Sequence, residues 1–466
     1  MDGGGGAPSL PLLLLFAVSV LLAFPVYLAV KRVDGAAARF VIAAIWLRYI
    51  MSAFHEFTFK QAVPGLSWNA VGSIIIVLTG LYLMRPRDLL FKSLVPVYAI
   101  IIVSFLSAVA NGNGVDAVNS VVKHLYFIVM MIAVYRALKD NGGPRLSLPL
   151  LWAFAPLPVL QLLSIVLGRA KASELDGSVS FIGGYNHEAT FSIALATFFI
   201  VVCLAITLPR LIKSVLLALL VVAIGLANYR TTFLALFPFA VAQMMSGTIT
   251  SFVRRQRAFI GLLIVTLALV FVTQLVGSSP ERFSDLAIFI DDPSRYIKPP
   301  AEFSFDDRRL LSGRAYIWSG YLYTWMDASL LNHLLGFGPD SWPDWFKVYP
   351  HNTVVAYLFE LGIVGLFLLL LFWATMLRLA LKTPGWPGLT LVFAHLAFIF
   401  MNLATMALWQ IEGVIFYAII CGFSLFSTVK AGALQRRMKS DFSPRLMPNA
   451  LGGMSVGKGE RGRLQP

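Results

Sequence analysis

Charge is scarce in this chain. Of its 466 residues only 13% are Asp, Glu, Lys or Arg, and 58% are hydrophobic. Ordinary soluble domains carry roughly 25% charged and about 45–50% apolar residues. Too few polar side chains remain to coat a soluble body. A soluble enzyme, a secreted module and a disordered chain are therefore excluded, and the bilayer is the expected solvent. Cysteine is scarcer still. Cys203 and Cys421 sit in separate apolar runs, too few for a disulfide framework or a zinc site. The N-terminal stretch MDGGGGAPSLPLLLLFAVSVLLAFPVYLAV lacks the basic flank of a cleavable signal and is expected to be a retained first membrane helix. No internal repeat, inserted soluble domain or low-complexity tract beyond the first six residues is evident. The net charge of +14 does not point to nucleic acid, because its basic residues form short clusters between long apolar runs.

What fills the chain is membrane-length apolar sequence. A crossing helix needs about 20 such residues. Thirteen spans are expected, at 9–30, 36–54, 70–84, 89–110, 119–138, 146–168, 189–208, 211–227, 231–252, 258–276, 352–380, 387–408 and 411–429. The fold class is thus an all-α polytopic membrane protein with about 12–13 transmembrane helices. Residues 1–276 form an N-terminal bundle of about ten spans, 277–350 a long extracytoplasmic loop with interfacial helices, 351–429 the C-terminal helices and 430–466 a basic tail.

The basic clusters fall at every second connection, with 24 of the 37 Lys and Arg on one side. The positive-inside rule places that side, including the tail, in the cytoplasm and the loop 277–350 outside. Thirteen spans put the N-terminus outside too; twelve would leave both ends inside.

Polar chemistry concentrates in three stretches on the outer side. His351 follows Pro350 and heads a long apolar helix. Free N–H groups and the positive dipole end there favour anions, and lower the pKa of a nearby imidazole. A neutral histidine beside a phosphate is a good general base; the alternative is an interfacial residue satisfied by water. Arg230 opens a span from the acidic side, where it either grips a phosphate or snorkels to the headgroups. Ser312-Gly313-Arg314 reads as a helix start, with Ser312 the expected N-cap. Arg314, Trp318, Tyr321 and Trp325 then share one helical face. That stripe, like Trp342 and Trp345, serves either as interfacial anchors or as stacking surface for sugars.

His55-Glu56 and Asn186-His187-Glu188 are acid–base candidates that ordinary loop polarity also explains. His124 and His395 lie within spans and read as helix packing, and Gly362 and Gly365 as points of close helix contact. The pairs Asp291-Asp292 and Asp306-Asp307 have the look of divalent-metal ligands for a nucleotide sugar, but they lie on the wrong side for one.

The ordered set resembles the O-antigen ligase and O-antigen polymerase superfamily. It comprises Arg230 before a span, Ser-Gly-Arg with an aromatic helix, Gly336-Phe337-Gly338, and His351-Asn352 leading into Glu360-Leu361-Gly362-Ile363-Val364-Gly365. The likeness is specific over about 230–366 and elsewhere rests on span layout. It implies an inverting, metal-independent glycosyl transfer at the outer face of the bacterial inner membrane, with no cofactor. The donor is a glycan on undecaprenyl diphosphate. Carried over by position, His351 is the catalytic base, Arg230 and Arg314 hold the diphosphate, and Asn352, Trp318 and Tyr321 line the substrate site.

A polymerase extending lipid-linked repeat units into a surface or exopolysaccharide is the leading expectation. A ligase transferring the glycan to lipid A-core is the runner-up, and a flippase for lipid-linked sugars comes third. A flippase would place polar sites at mid-membrane in paired halves, which this sequence lacks. The expected partners are the lipid-linked donor, a glycan or lipid-linked acceptor, membrane lipids and other polysaccharide assembly and export proteins.

Overall fold

The computed structural model describes residues 8–112, 114–172, 179–251 and 298–441, with short stretches between 253 and 296. Most of the expected span 258–276, much of the start of the long loop, the first seven residues and the tail from 442 lie outside the described residues.

The apolar runs are helices, in chain order α1 (Leu12–Lys31), α2 (Ala36–Ala53), α3 (Trp68–Leu83), α4 (Val95–Asn111), α5 (Gly114–Trp152), α6 (Pro156–Val166), α7 (Glu188–Leu204), α8 (Arg210–Leu226) and α9 (Arg230–Ser251). The loop region contributes α10 (Arg314–Met326), α11 (Leu330–Leu335) and α12 (Trp342–Trp345). The chain then closes with α13 (Thr353–Leu381), α14 (Gly385–Asn402) and α15 (Ile411–Asp441). Among the described residues, sheet is confined to two short antiparallel pairs, Gln61–Val63 with Leu66–Ser67 and Lys171–Ala172 with Val179–Ser180.

Among the described residues seven helical segments are long and apolar enough to cross a membrane. One of them, Ala117–Val166, has 50 residues. A straight helix of that length would extend about 75 Å, well over twice the roughly 30 Å hydrocarbon core. It is not straight. Gly142 leaves helical geometry (φ 70, ψ 160), and Pro144 and Pro149 follow. The segment is therefore two helices on either side of Gly142, as the expected spans 119–138 and 146–168 require, and the second runs on into α6. The protein is an all-α multi-pass membrane protein. The outer faces of its helices are apolar, as for Leu13, Leu21 and Phe24 on α1.

The core lies where α5, α13, α14 and α15 meet. Tyr417 stacks on Phe398 with ring centroids 4.3 Å apart, and Phe127 meets Phe372 edge-on at 5.1 Å. One charge pair is sealed into the helix body. Arg48 Nε donates to Glu412 Oε1 at 3.0 Å, Ser52 Oγ donates to the same oxygen, and Asn69 caps the guanidinium.

The basic connections meet at one end of the bundle. Arg145 pairs with Asp34 at 3.6 Å, Asn141 accepts from the Asp34 N–H, and Arg136 pairs with Asp88 at 3.4 Å. The other end gathers the residues around 55, 184–190, 336–351 and 406–412, tied by His55 Nδ1 to the Gly184 carbonyl at 2.8 Å and by Thr190 Oγ1 to Gln410 at 3.0 Å.

The glycine motifs have a structural cause. Gly362 (φ 65) breaks α13, so carbonyls just before it lose their helical partners. The Phe359 carbonyl accepts from Phe337 N–H at 2.9 Å. The Glu360 carbonyl accepts from Gly338 N–H at 3.0 Å and from Ser107 Oγ at 3.0 Å. The 336–338 turn thus plugs into the broken helix. A Cβ on Gly336 would overlap the Glu360 backbone, and one on Gly362 the Leu334 backbone. Gly362 thus makes the close helix contact expected of it, with the end of α11, and the 336–338 turn locks in beside it.

Candidate functional site

His351 sits just ahead of α13. Asn352, in extended geometry, is the true N-cap, its Oδ1 accepting from Val354 and Val355 N–H at 2.9 and 3.3 Å. His351 itself is left-handed (φ 52). That conformation disfavours residues with a Cβ and persists only where surroundings impose it.

The surroundings are α10 and its aromatic stripe. Trp318 Nε1 donates to the Pro350 carbonyl at 2.7 Å and Tyr321 OH to the Val348 carbonyl at 2.8 Å. Tyr349 lies against the imidazole, ring centroids 3.9 Å apart, and against the Trp409 indole on stacked planes at 5.6 Å. The segment before His351 is thereby pinned to the helix that begins with Arg314.

This corrects three expectations. Tyr321 is 1% exposed and packed among Phe337, Val355 and Phe359, so no ring face is open to a sugar. Asn352 is 8% exposed and spends its carbonyl on capping α13. Ser312 does not cap α10. Leu311, Ser312 and Gly313 form a left-handed turn (φ 52, 57 and 80), and the cap position is Gly313. The aromatic stripe is the inner face of α10 rather than an anchor. Trp318 and Trp325 pack on the same cluster, Trp342 meets Tyr349 at 5.9 Å and Trp345 meets Phe337 at 4.8 Å.

Arg314 and His351 come together. Burial lowers the His351 pKa from its ordinary 6.5 to about 4, and the Arg314 charge, then His187, push the same way. Residues far apart in sequence thus share one field. Tyr229 reports the same neighbourhood. Burial raises its phenol, while Arg314 opposes the rise and Tyr349 and Glu188 add to it. Arg230 follows Tyr229 directly and heads α9, which brings its backbone to this end of the bundle. The fall in the His351 pKa expected from a helix terminus is present, but burial and Arg314 are its leading causes.

His187, weighed as ordinary loop polarity, faces the site. Its Nδ1 accepts from Ala189 N–H at 3.0 Å to start α7, and its pKa is lowered by burial. Glu188 beside it pairs with Lys171 at 3.0 Å. His55 is bound to the Gly184 carbonyl and 7% exposed, while Glu56 is exposed and lies outside that contact. His395 is fully buried against Ser424. Asp307 is held by Lys298 at 2.7 Å, and among the described residues no group of three His, Cys, Asp or Glu converges as metal ligands would. Sequence patterns gave no sign of Tyr349 or Lys171, because neither belongs to a motif; Tyr229 lies in the polar stretch 228–232 that carries Arg230, but only the fold supplies its neighbours.

The arrangement defines a helical membrane protein with a histidine, a fixed guanidinium and an aromatic wall at the end opposite its basic connections. Residues 215–370, about a third of the chain, match the family model described as O-Antigen ligase. The match contains Arg230, Arg314, His351 and the Glu-Leu-Gly break, and it supports the O-antigen ligase and polymerase superfamily and an activity of that kind. No curated protein matches the chain.

Proposed function

We propose that this protein is an inverting glycosyltransferase that polymerises undecaprenyl-diphosphate-linked repeat units into a surface or exopolysaccharide. The site faces the periplasm from the bacterial inner membrane, because the basic end belongs in the cytoplasm. The observation that carries the reading is the placement of His351 in the field of Arg314 at the other end.

In this reading the acceptor hydroxyl attacks the anomeric carbon from the face opposite the diphosphate. The new C–O bond forms as the sugar–phosphate bond breaks, the electron pair leaves on the diphosphate, and His351 takes the hydroxyl proton. Arg314 and Arg230 stabilise the leaving charge, which grows toward the transition state, so fixed cations lower the barrier more than they strengthen binding. Two cations in that role make a metal unnecessary. The donor also relieves the depressed basicity of His351. Its negative charge offsets Arg314, so the imidazole becomes a better proton acceptor once substrate is bound. Trp318 and Tyr321 act through the chain segment they hold, as positioning residues.

The description of the matching family favours one second reading, ligation of the glycan to a lipid A-core acceptor. The test uses purified protein in nanodiscs, lipid-linked repeat units isolated from the producing cells, and EDTA. Chain extension without a lipid A-core acceptor is expected. Transfer only when lipid A-core is added would make the protein a ligase, and no transfer to either would remove the enzymatic reading.

A further inference from the structure

A chamber lined by both polar and apolar side chains adjoins the candidate site. It encloses about 60 Å³ between α5, α13 and the segment before α15, and its polar lining includes Lys123, His124, Asp340, Tyr357, Glu360 and Trp409. At about 10–15 Å³ per water this is room for a few waters or one edge of a sugar ring. Trp409 is the wall shared with the site. Its indole lies against Tyr349, which lies against His351, and its Nε1 donates to Asp340 Oδ1 at 2.9 Å.

The lining states what fits. Lys123 stands 3.4 Å from Asp340, so its charge is already compensated, and Glu360 adds a second carboxylate. One cation against two carboxylates repels a phosphate. Apolar side chains, among them Phe127, Leu361 and Met406, share the lining, so an occupant must offer hydroxyls and apolar faces together. A neutral polyol satisfies both conditions. The hydrogen-bond directions also suit hydroxyls. His124 Nδ1 lies 2.7 Å from the Ser120 carbonyl and so carries the proton, which makes Nε2 the acceptor of the Tyr357 hydroxyl at 3.1 Å. The Tyr357 oxygen keeps lone pairs for a donor from the chamber.

We infer that the Lys123–Asp340–Tyr357–Glu360 chamber is a subsite for a neutral sugar of the acceptor glycan. This rests on the glycosyl-transfer reading. There the diphosphate belongs with the arginines, and a chamber that repels phosphate, across the Tyr349–Trp409 stack, is the acceptor's side. The same hydroxyl chemistry could come from the donor's own sugars, so the experiment separates the two.

The probes are the oligosaccharide released by mild acid from the isolated lipid-linked repeat unit, and inorganic pyrophosphate. Binding of each is measured to wild-type protein in nanodiscs and to Glu360→Gln, Tyr357→Phe, Lys123→Met and the chamber-filling Ala356→Phe. Oligosaccharide affinity is expected to fall about tenfold or more in these variants, the loss typical of a site left with unpaired polar groups. Pyrophosphate binding is expected to persist, which also shows that the variants are folded.

Unchanged oligosaccharide binding in Glu360→Gln and Tyr357→Phe would overturn the subsite. In transfer assays with the released oligosaccharide as acceptor, the variants should raise KM for the acceptor and leave that for the lipid-linked donor; the reverse split would mean that the chamber holds the donor's sugar, and would overturn the assignment. Wild-type protein that binds the oligosaccharide but transfers nothing would remove the glycosyl-transfer reading while leaving the chamber a sugar site.

Discussion

Burial and the Arg314 charge keep the His351 imidazole neutral down to about pH 4. Because kcat/KM reports the free enzyme, its acid limb should fall near pH 4 rather than near the ordinary histidine value. Removing the charge in Arg314→Gln takes away one cause of that depression. The limb should then move to higher pH, a direction that a general fall in activity would not produce. His351→Ala should abolish glycan extension while the protein still inserts and unfolds at its normal temperature. Arg314→Lys should lose on the order of 100-fold in kcat, since a point charge replaces a fork that can hold two phosphate oxygens. Transfer assays on the purified variants check both, and near-wild-type rates in either would remove that residue from the site.

The aromatic helix α10 and the broken helix α13 position these residues without touching the reaction. Tyr321→Phe deletes the donor to the Val348 carbonyl, and Trp318→Phe the donor to the Pro350 carbonyl. The segment carrying His351 then loses its register, and a displacement of about 1 Å costs as much as 100-fold in rate. The double variant should lower kcat about 10- to 100-fold with little change in donor KM, a split that steady-state kinetics reads directly. At the loop–helix lock, Gly362→Ala meets both a positive φ and the Leu334 backbone. The left-handed conformation alone costs about 1–3 kcal/mol, and the overlap adds to it. A clear drop in thermal unfolding temperature in detergent is expected, with Gly432→Ala, where nothing lies nearby, as the silent control.

Across the entire bundle, the Arg48–Glu412 pair is a buried charge couple in a largely apolar setting. Glu412→Gln leaves the guanidinium uncompensated and should cost about 3–5 kcal/mol, whereas Arg48→Met with Glu412→Leu should recover most of the loss. Additive destabilisation in a double-mutant cycle would show that the two side chains do not act as a pair. Sidedness is checked by labelling. Leu330→Cys is exposed at the histidine end and Lys382→Cys at the basic end, and the native Cys203 and Cys421 are buried. Only Leu330→Cys should react with an impermeant thiol reagent added to the periplasmic side. Much of this plan is legible in one dimension. Helices declare themselves because each apolar run must satisfy its own backbone in lipid, so their positions follow from local composition. Arg230, Arg314 and His351 stand out because charge and imidazole are rare beside such runs. The positioning contacts of Tyr321 and Trp318 are not legible in the sequence, because a hydrogen bond to a backbone carbonyl some thirty residues away leaves no local pattern. Lys123 with Asp340, and Arg48 with Glu412, are likewise invisible, since a partner more than 200 residues away is chosen by packing. The linear chain by itself determined the solvent, the helices and the identity of the reactive groups, all of which depend on side-chain chemistry within one turn or one span. Only the tertiary structure decided which polar residues share a field and which merely hold the others in place, because electrostatics and burial depend on distance through space.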